Sequence, residues 1–269
     1  MGIKVKGSGV TVGASSKGGG GGKVEWEDAT SEPARCVLLH LYGETNTGKT
    51  SLALTAPGPI ALIHAAEKID GIVQKQIEAG KDVKLYDFSG IFSGNEQEIA
   101  VEASASFAGL KDAIEDAWGW ARTVIIDTHT EMWELIRLAR FGKLSQVMPH
   151  HYGPVNAEWL GIFKHFRKQK DTNLIVIGHV RERYRNDKPT GIMEPAGQKQ
   201  MGYLSDVMVK MGRSKKADFT GKLEKAWWNA TVEGLVLEDA QGTPEEDRML
   251  DFARLMGLVT EQDPEEWSE

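Results

Sequence analysis

The chain has 269 residues, 32 Lys and Arg against 39 Asp and Glu for a net charge of −7, and 41% hydrophobic residues, a globular composition that can bury a full core. Its longest apolar runs are strand-sized, its first residues lack the hydrophobic block of a secretory signal, and its single cysteine, Cys36, excludes an internal disulfide or a Cys-based metal site. A soluble, cytoplasmic protein with one core and no membrane partner is expected.

Residues 1–30 are rich in Gly, Ser and Lys, include the run Gly18 to Gly22, and read as a flexible arm. The core is expected over 31–237, followed by a terminal helix and acidic tail over 238–269. Residues 36–42 form a buried-strand pattern ending in Gly43, and 49–56 a helix stopped by Pro57-Gly58-Pro59. Strands follow at 60–65 and 83–88, separated by a helix over 69–79, and 89–104 reads as loop. An amphipathic helix over 107–121 leads to a short strand, 123–126, that ends in Asp127. Helix 131–140, a loop over 142–154 and helix 155–170 precede the buried strand 174–177, which ends at Gly178-His179. The polar stretch to Gln200 has no clear period. Residues 203–211 and 226–237 look β-like, and 248–256 helical. Strands alternating with helices predict an α/β fold, a mostly parallel sheet with helices on both faces and an antiparallel edge.

Charge is uneven along this order. Residues 238–269 carry eleven acidic and two basic side chains, while 164–225 carry fifteen basic and seven acidic ones. A basic middle therefore precedes an acidic tail, which is expected to compete with nucleic acid for the basic region or to dock a basic partner; on that reading, removing 261–269 tightens DNA binding at low salt.

Gly43-Glu44-Thr45-Asn46-Thr47-Gly48-Lys49-Thr50 fits the phosphate-binding pattern GxxxxGK[ST], and Ser51 follows it. Its glycines let backbone N–H groups wrap a phosphate; Lys49 would reach the outer phosphates and Thr50 would ligate Mg2+. ATP with Mg2+ is the expected ligand. Asp127, at the end of an apolar strand, is the expected second Mg2+ residue, although such an Asp also serves as a helix cap. Hydrolysis needs a carboxylate to polarise water. Glu67, just beyond the second strand, is the first candidate and Glu131 the alternative. His179, after the last buried strand, is placed to touch the terminal phosphate. His150-His151 lacks zinc-ligand spacing.

These features resemble the RecA-type recombinase core, and most closely the shortened RecA-like ATPases of phages grouped with single-strand annealing proteins. The similar segments are the P-loop with Thr50-Ser51-Leu52-Ala53, Ala65-Ala66-Glu67-Lys68-Ile69-Asp70, Val124 to Thr128, Leu174 to His179, and Gly202-Tyr203-Leu204-Ser205-Asp206-Val207. The resemblance implies a RecA-like P-loop core, Glu67 as the catalytic glutamate, His179 as a sensor, and DNA-binding loops at 141–153 and 180–200. The second loop carries Arg181, Arg183, Arg185, Lys188 and Lys199 to neutralise phosphates; Tyr184, or Tyr152 in the first, would stack a base. It further implies single-stranded DNA as partner, a ring or filament of identical subunits with Lys199, Arg213 or Lys215 against a neighbour's γ-phosphate, a single-strand-binding protein, and a host-cell cytoplasmic location. A DNA-stimulated ATPase of recombination or replication is the leading expectation. A P-loop small-molecule kinase or a non-catalytic loader are the alternatives.

Overall fold

A computed structural model describes residues 36–65, 69–143, 147–216, 218–240, 243–244 and 247–268. The chain from Ala34 onward forms one unit. Its elements are β1 (Leu38–Gly43), α1 (Lys49–Ala53), β2 (Ile60–His64), α2 (Asp70–Glu78), β3 (Val83–Asp87), α3 (Glu96–Trp118), β4 (Thr123–Asp127) and α4 (His129–Phe141). There follow α5 (Tyr152–Phe166), β5 (Asn173–Gly178), β6 (Val180–Arg185), β7 (Lys188–Pro195), α6 (Met201–Leu204), β8 (Val207–Arg213), β9 (Phe219–Ala226), β10 (Val236–Asp239) and α7 (Phe252–Thr260).

Eight strands make one sheet in the order β10-β9-β8-β1-β5-β4-β2-β3. The six from β8 to β3 are parallel, and β9 and β10 extend them as an antiparallel edge. The expected architecture is the one observed. Strand periodicity explains its two-sided core: Leu39 and Leu41 face α1, α2 and α7, whereas Leu38, at the start of the strand, faces the side of α3, α4 and α5. Central strands buried on both faces read as unbroken apolar runs, which is why β1, β2, β4 and β5 are plain in the sequence.

Several segments differ from the sequence expectation. The stretch 89–104 is not all loop, because α3 begins at Glu96; Asn95 accepts from the backbone N–H groups of Gln97 and Glu98, and the Glu98 carboxylate accepts from Asn95 N. Tyr203 and Leu204 are the last residues of the short α6, and the strand starts only at Val207. Most of 226–237 is connection between β9 and β10, and β9 lies earlier, where exposed Lys222 and Glu224 flank buried Leu223 and interrupt any apolar run. The terminal helix starts at Phe252, where Asp251 caps it. The acidic tail is not a loose appendage: Trp267, 1% exposed, sits in the core cluster beside Phe252, with its indole N–H donating to Gln262.

Asp206, in the segment that carries the family resemblance, has a structural task. It accepts from Leu38 N at 2.8 Å and takes two nitrogens of Arg167 at 2.8 and 2.9 Å, tying the start of β1 to α5 and β8. Among the described residues no helix is long and apolar enough to cross a membrane.

Candidate nucleotide site

The P-loop leaves β1 at Gly43 and turns into α1 at Lys49. Two of its glycines are required sterically. A Cβ on Gly43 would fall 2.3 Å from the carbonyl oxygen of Met211 on β8, so the loop can lie against that strand only without a side chain. Gly48 has φ +84° and would meet the Phe219 ring at 3.0 Å. Lys49 Nζ folds back into the loop, donating to Glu44 O at 2.6 Å and Gly43 O at 3.1 Å. Burial pulls its pKa down, opposed by the charge of Asp127.

Thr50 Oγ1 donates to Asp127 Oδ2 at 2.6 Å. Asp127 is buried, and desolvation raises its carboxyl pKa although the Thr50 hydrogen bond and Lys49 oppose the shift. A hydroxyl and a desolvated carboxylate converging beside a lysine-bearing loop form a donor set that suits Mg2+, which takes oxygen ligands. Thr128 caps α4, its side chain accepting from Glu131 N at 3.3 Å. That fixes Glu131 in the first turn, where its Oε1 lies 3.2 Å from His179 Nε2. The Glu131 partner raises the His179 pKa, and the other oxygen, Glu131 Oε2, is buried without a hydrogen-bond partner among the described residues.

These groups line one cavity of about 540 Å³ that takes in Thr45 to Ser51, Ala65, Asp127, Glu131 and His179. The structure thus brings together Lys49, Thr50, Asp127 and His179 from three separate segments. Glu67 lies outside the described residues; Ala65, two positions earlier, lines the cavity. Arg213 lies over its own P-loop, donating from Nε to Asn46 O at 2.8 Å and stacking its guanidinium 4.4 Å from the Phe219 ring centre. Phe219 and Ile72 are site residues that sequence reasoning missed, since nothing local marks an apolar residue as lining a cavity built by a distant loop. A second cavity of about 300 Å³ shares Gly48, Ser51, Ile72 and Phe219 with the first and runs toward Lys75, Gln76 and Asp239.

Residues 180–195 are not an aperiodic loop. They form an antiparallel hairpin, β6 and β7, which among the described residues pairs with no other strand; Asn186 and Asp187 make its turn with φ +51° and +58°. Arg181 and Arg183 both bind the Glu194 carboxylate, at 3.1 and 2.8 Å. Arg185 and Lys188 flank the tip, Tyr184 is 64% exposed, and Lys199 lines a groove at the foot with Arg181 and Arg183. The other expected DNA loop is described only in part. Within it Pro149–His151 is a 3-10 turn, and Tyr152 begins α5 with its ring packed against Trp133 and Phe141 at 6.3 and 5.4 Å, so it is no free stacking platform.

No curated protein matches the chain in sequence. Among solved structures, the crystal structure of the RadB recombinase is similar at 17% identity and a TM-score of 0.46, over 77% of this chain and 87% of that one. The family model described as AAA domain matches residues 36–243, from the first strand through the last strand of the sheet. By that match, the chain belongs to the AAA domain family of P-loop ATPases.

Proposed function

We propose that this protein hydrolyses ATP and couples the hydrolysis to holding single-stranded DNA on the β6–β7 hairpin, in phage-type recombination or replication. The observation that carries the reading is the position of His179: its ring is in the nucleotide cavity, and the next residue, Val180, starts the hairpin. Thr45 to Ser51 would cradle the phosphates, with the Lys49 amine exchanging loop carbonyls for phosphate oxygens. The second cavity offers room for base and sugar. Thr50 and Asp127 would hold Mg2+, which supplies charge neutralisation at the phosphates when bound. Glu67 is the proposed base that orients the attacking water, supported by its place just after a strand whose exit lines the cavity.

His179 would exchange Glu131 for the terminal phosphate, altering the root of the hairpin. Arg185, Lys188 and Lys199 would neutralise DNA phosphates and Tyr184 would stack a base; Arg181 and Arg183 would share their charge with Glu194. Assembly of several copies and contact with a single-strand-binding protein complete the reading.

The test is ATP turnover by the purified protein with and without single-stranded DNA, alongside Lys49→Ala and Glu67→Gln. Stimulation by DNA that both substitutions abolish is the expected result. Turnover indifferent to DNA and surviving Glu67→Gln would overturn it.

A further inference from the structure

The β6–β7 hairpin stands on two glycines, and one histidine ring fills the space between them. Gly178 closes β5 just before the hairpin, and Gly197 follows β7 by two residues. A Cβ on Gly178 would fall 2.5 Å from His129 Nε2; one on Gly197, where φ is +85°, would fall 3.1 Å from His129 Cε1 and 3.3 Å from Nδ1. Opposite edges of the His129 imidazole therefore face the two roots of the hairpin. The root is closed by Ala196 N, which donates to His179 O at 2.8 Å.

His129 is the first residue of α4, and its neighbours grip the same root. The Thr130 hydroxyl accepts from His179 N at 3.2 Å, and Glu131 binds the His179 ring. His129 Nε2, the atom that faces Gly178, also lies 3.1 Å from Nε2 of His40, in the middle of β1, so one ring donates and the other accepts. Both rings are wholly buried and meet edge to face at 76°. Each leaves its Nδ1 buried with no hydrogen-bond partner among the described residues. Leaving buried polar atoms of that kind unpaired is costly. Apolar side chains would fill the space without that cost but would not fix the orientation of the ring.

We infer that His129, oriented by its hydrogen bond to His40, is a positioning residue that keys both roots of the hairpin to β1 and the start of α4, so that a change in the nucleotide cavity moves the hairpin as one piece. It touches no reacting atom. The inference rests on the proposed function, in which the hairpin responds to nucleotide.

The test uses the full chain with Cys36→Ala and a fluorophore on Asn186→Cys at the hairpin turn, reading the signal change when a non-hydrolysable ATP analogue binds. His40→Leu keeps bulk and removes the hydrogen bond, while His40→Gln keeps an amide able to donate or accept. Analogue affinity is expected to stay within about threefold in both. The hairpin signal is expected to fall at least about fivefold in His40→Leu and to keep at least about half its size in His40→Gln. Should His40→Leu fail to fold, His129→Phe, which fills the gap without a hydrogen bond, carries the same expectation. A full signal in His40→Leu, or equal loss in the Leu and Gln variants at equal melting temperature, would overturn the inference alone. A parent protein that binds the analogue with no hairpin signal would overturn both it and the hairpin part of the proposed function.

Discussion

Thr50 Oγ1 reaches Asp127 Oδ2 across 2.6 Å, joining the start of α1 to the end of β4 over the intervening strand β5. The contact gathers the two oxygen groups proposed for Mg2+ where burial already disfavours an uncompensated carboxylate. Asp127→Asn should keep the hydrogen bond to Thr50 and lose the charge. ATP turnover is expected to fall by about a hundredfold or more, with nucleotide affinity in the absence of Mg2+ nearly unchanged. Mg2+ titration of turnover and of binding, on the variant and the parent, checks this.

Gly43→Ala places a methyl group into the Met211 carbonyl. Overpacking of this kind costs about 1–3 kcal/mol, and here it also pushes the P-loop off β8. A lower melting temperature together with weakened ATP binding is expected. Unchanged stability with full binding would show that the loop does not need its contact with β8.

The histidines of the site give opposite pH signatures. Burial lowers the His129 pKa to about 4 and that of His40 well below its ordinary value, so the folded protein keeps both neutral while the unfolded chain protonates them below about pH 6.5. Stability should therefore decline as pH falls from about 6.5 toward 4, with proton uptake on unfolding that His40→Leu reduces by about one. His179 behaves the other way, since Glu131 raises its pKa: its contribution is full below about pH 6.5 and fades as pH rises through the raised value. Thermal melts of the parent, His40→Leu and His179→Gln from pH 5 to 8.5 separate the two.

At the hairpin tip, Arg185 and Lys188 make no ion pair among the described residues, whereas Arg181 and Arg183 share Glu194. Arg185→Ala and Lys188→Ala should each reduce the salt dependence of single-stranded DNA affinity by about 0.7 in log–log slope. Glu194→Gln should strengthen DNA binding by releasing two arginines. Fluorescence anisotropy over a salt series reads both effects.

Trp267 converts the acidic tail into part of the core. Trp267→Ala should destabilise the fold by about 3–5 kcal/mol, measured by chemical denaturation. Deleting 261–269 would then loosen α7 before any change in DNA affinity could be attributed to lost negative charge.

What was legible in the sequence follows burial. The P-loop spacing and the strand ending in Asp127 are local patterns, and strands covered on both faces announce themselves as apolar runs. The start of α3 was written in Asn95 and Glu98, a capping pair that its Ala- and Ser-rich first turns obscured. The hairpin is exposed on both sides, so no hydrophobic alternation marks it, and its one signal is the Asn186-Asp187 turn.

The sequence by itself determined the α/β class, the phosphate loop and the order of the strands along the chain, because backbone geometry and hydrophobic period act over a few neighbouring residues. Only the tertiary structure decided that β5 lies between the strands bearing Gly43 and Asp127, that Arg213 and Phe219 cover the P-loop, and that His40 meets His129. Those contacts join residues up to 170 or so positions apart, and their partners are chosen by sheet order and packing, which no local pattern encodes.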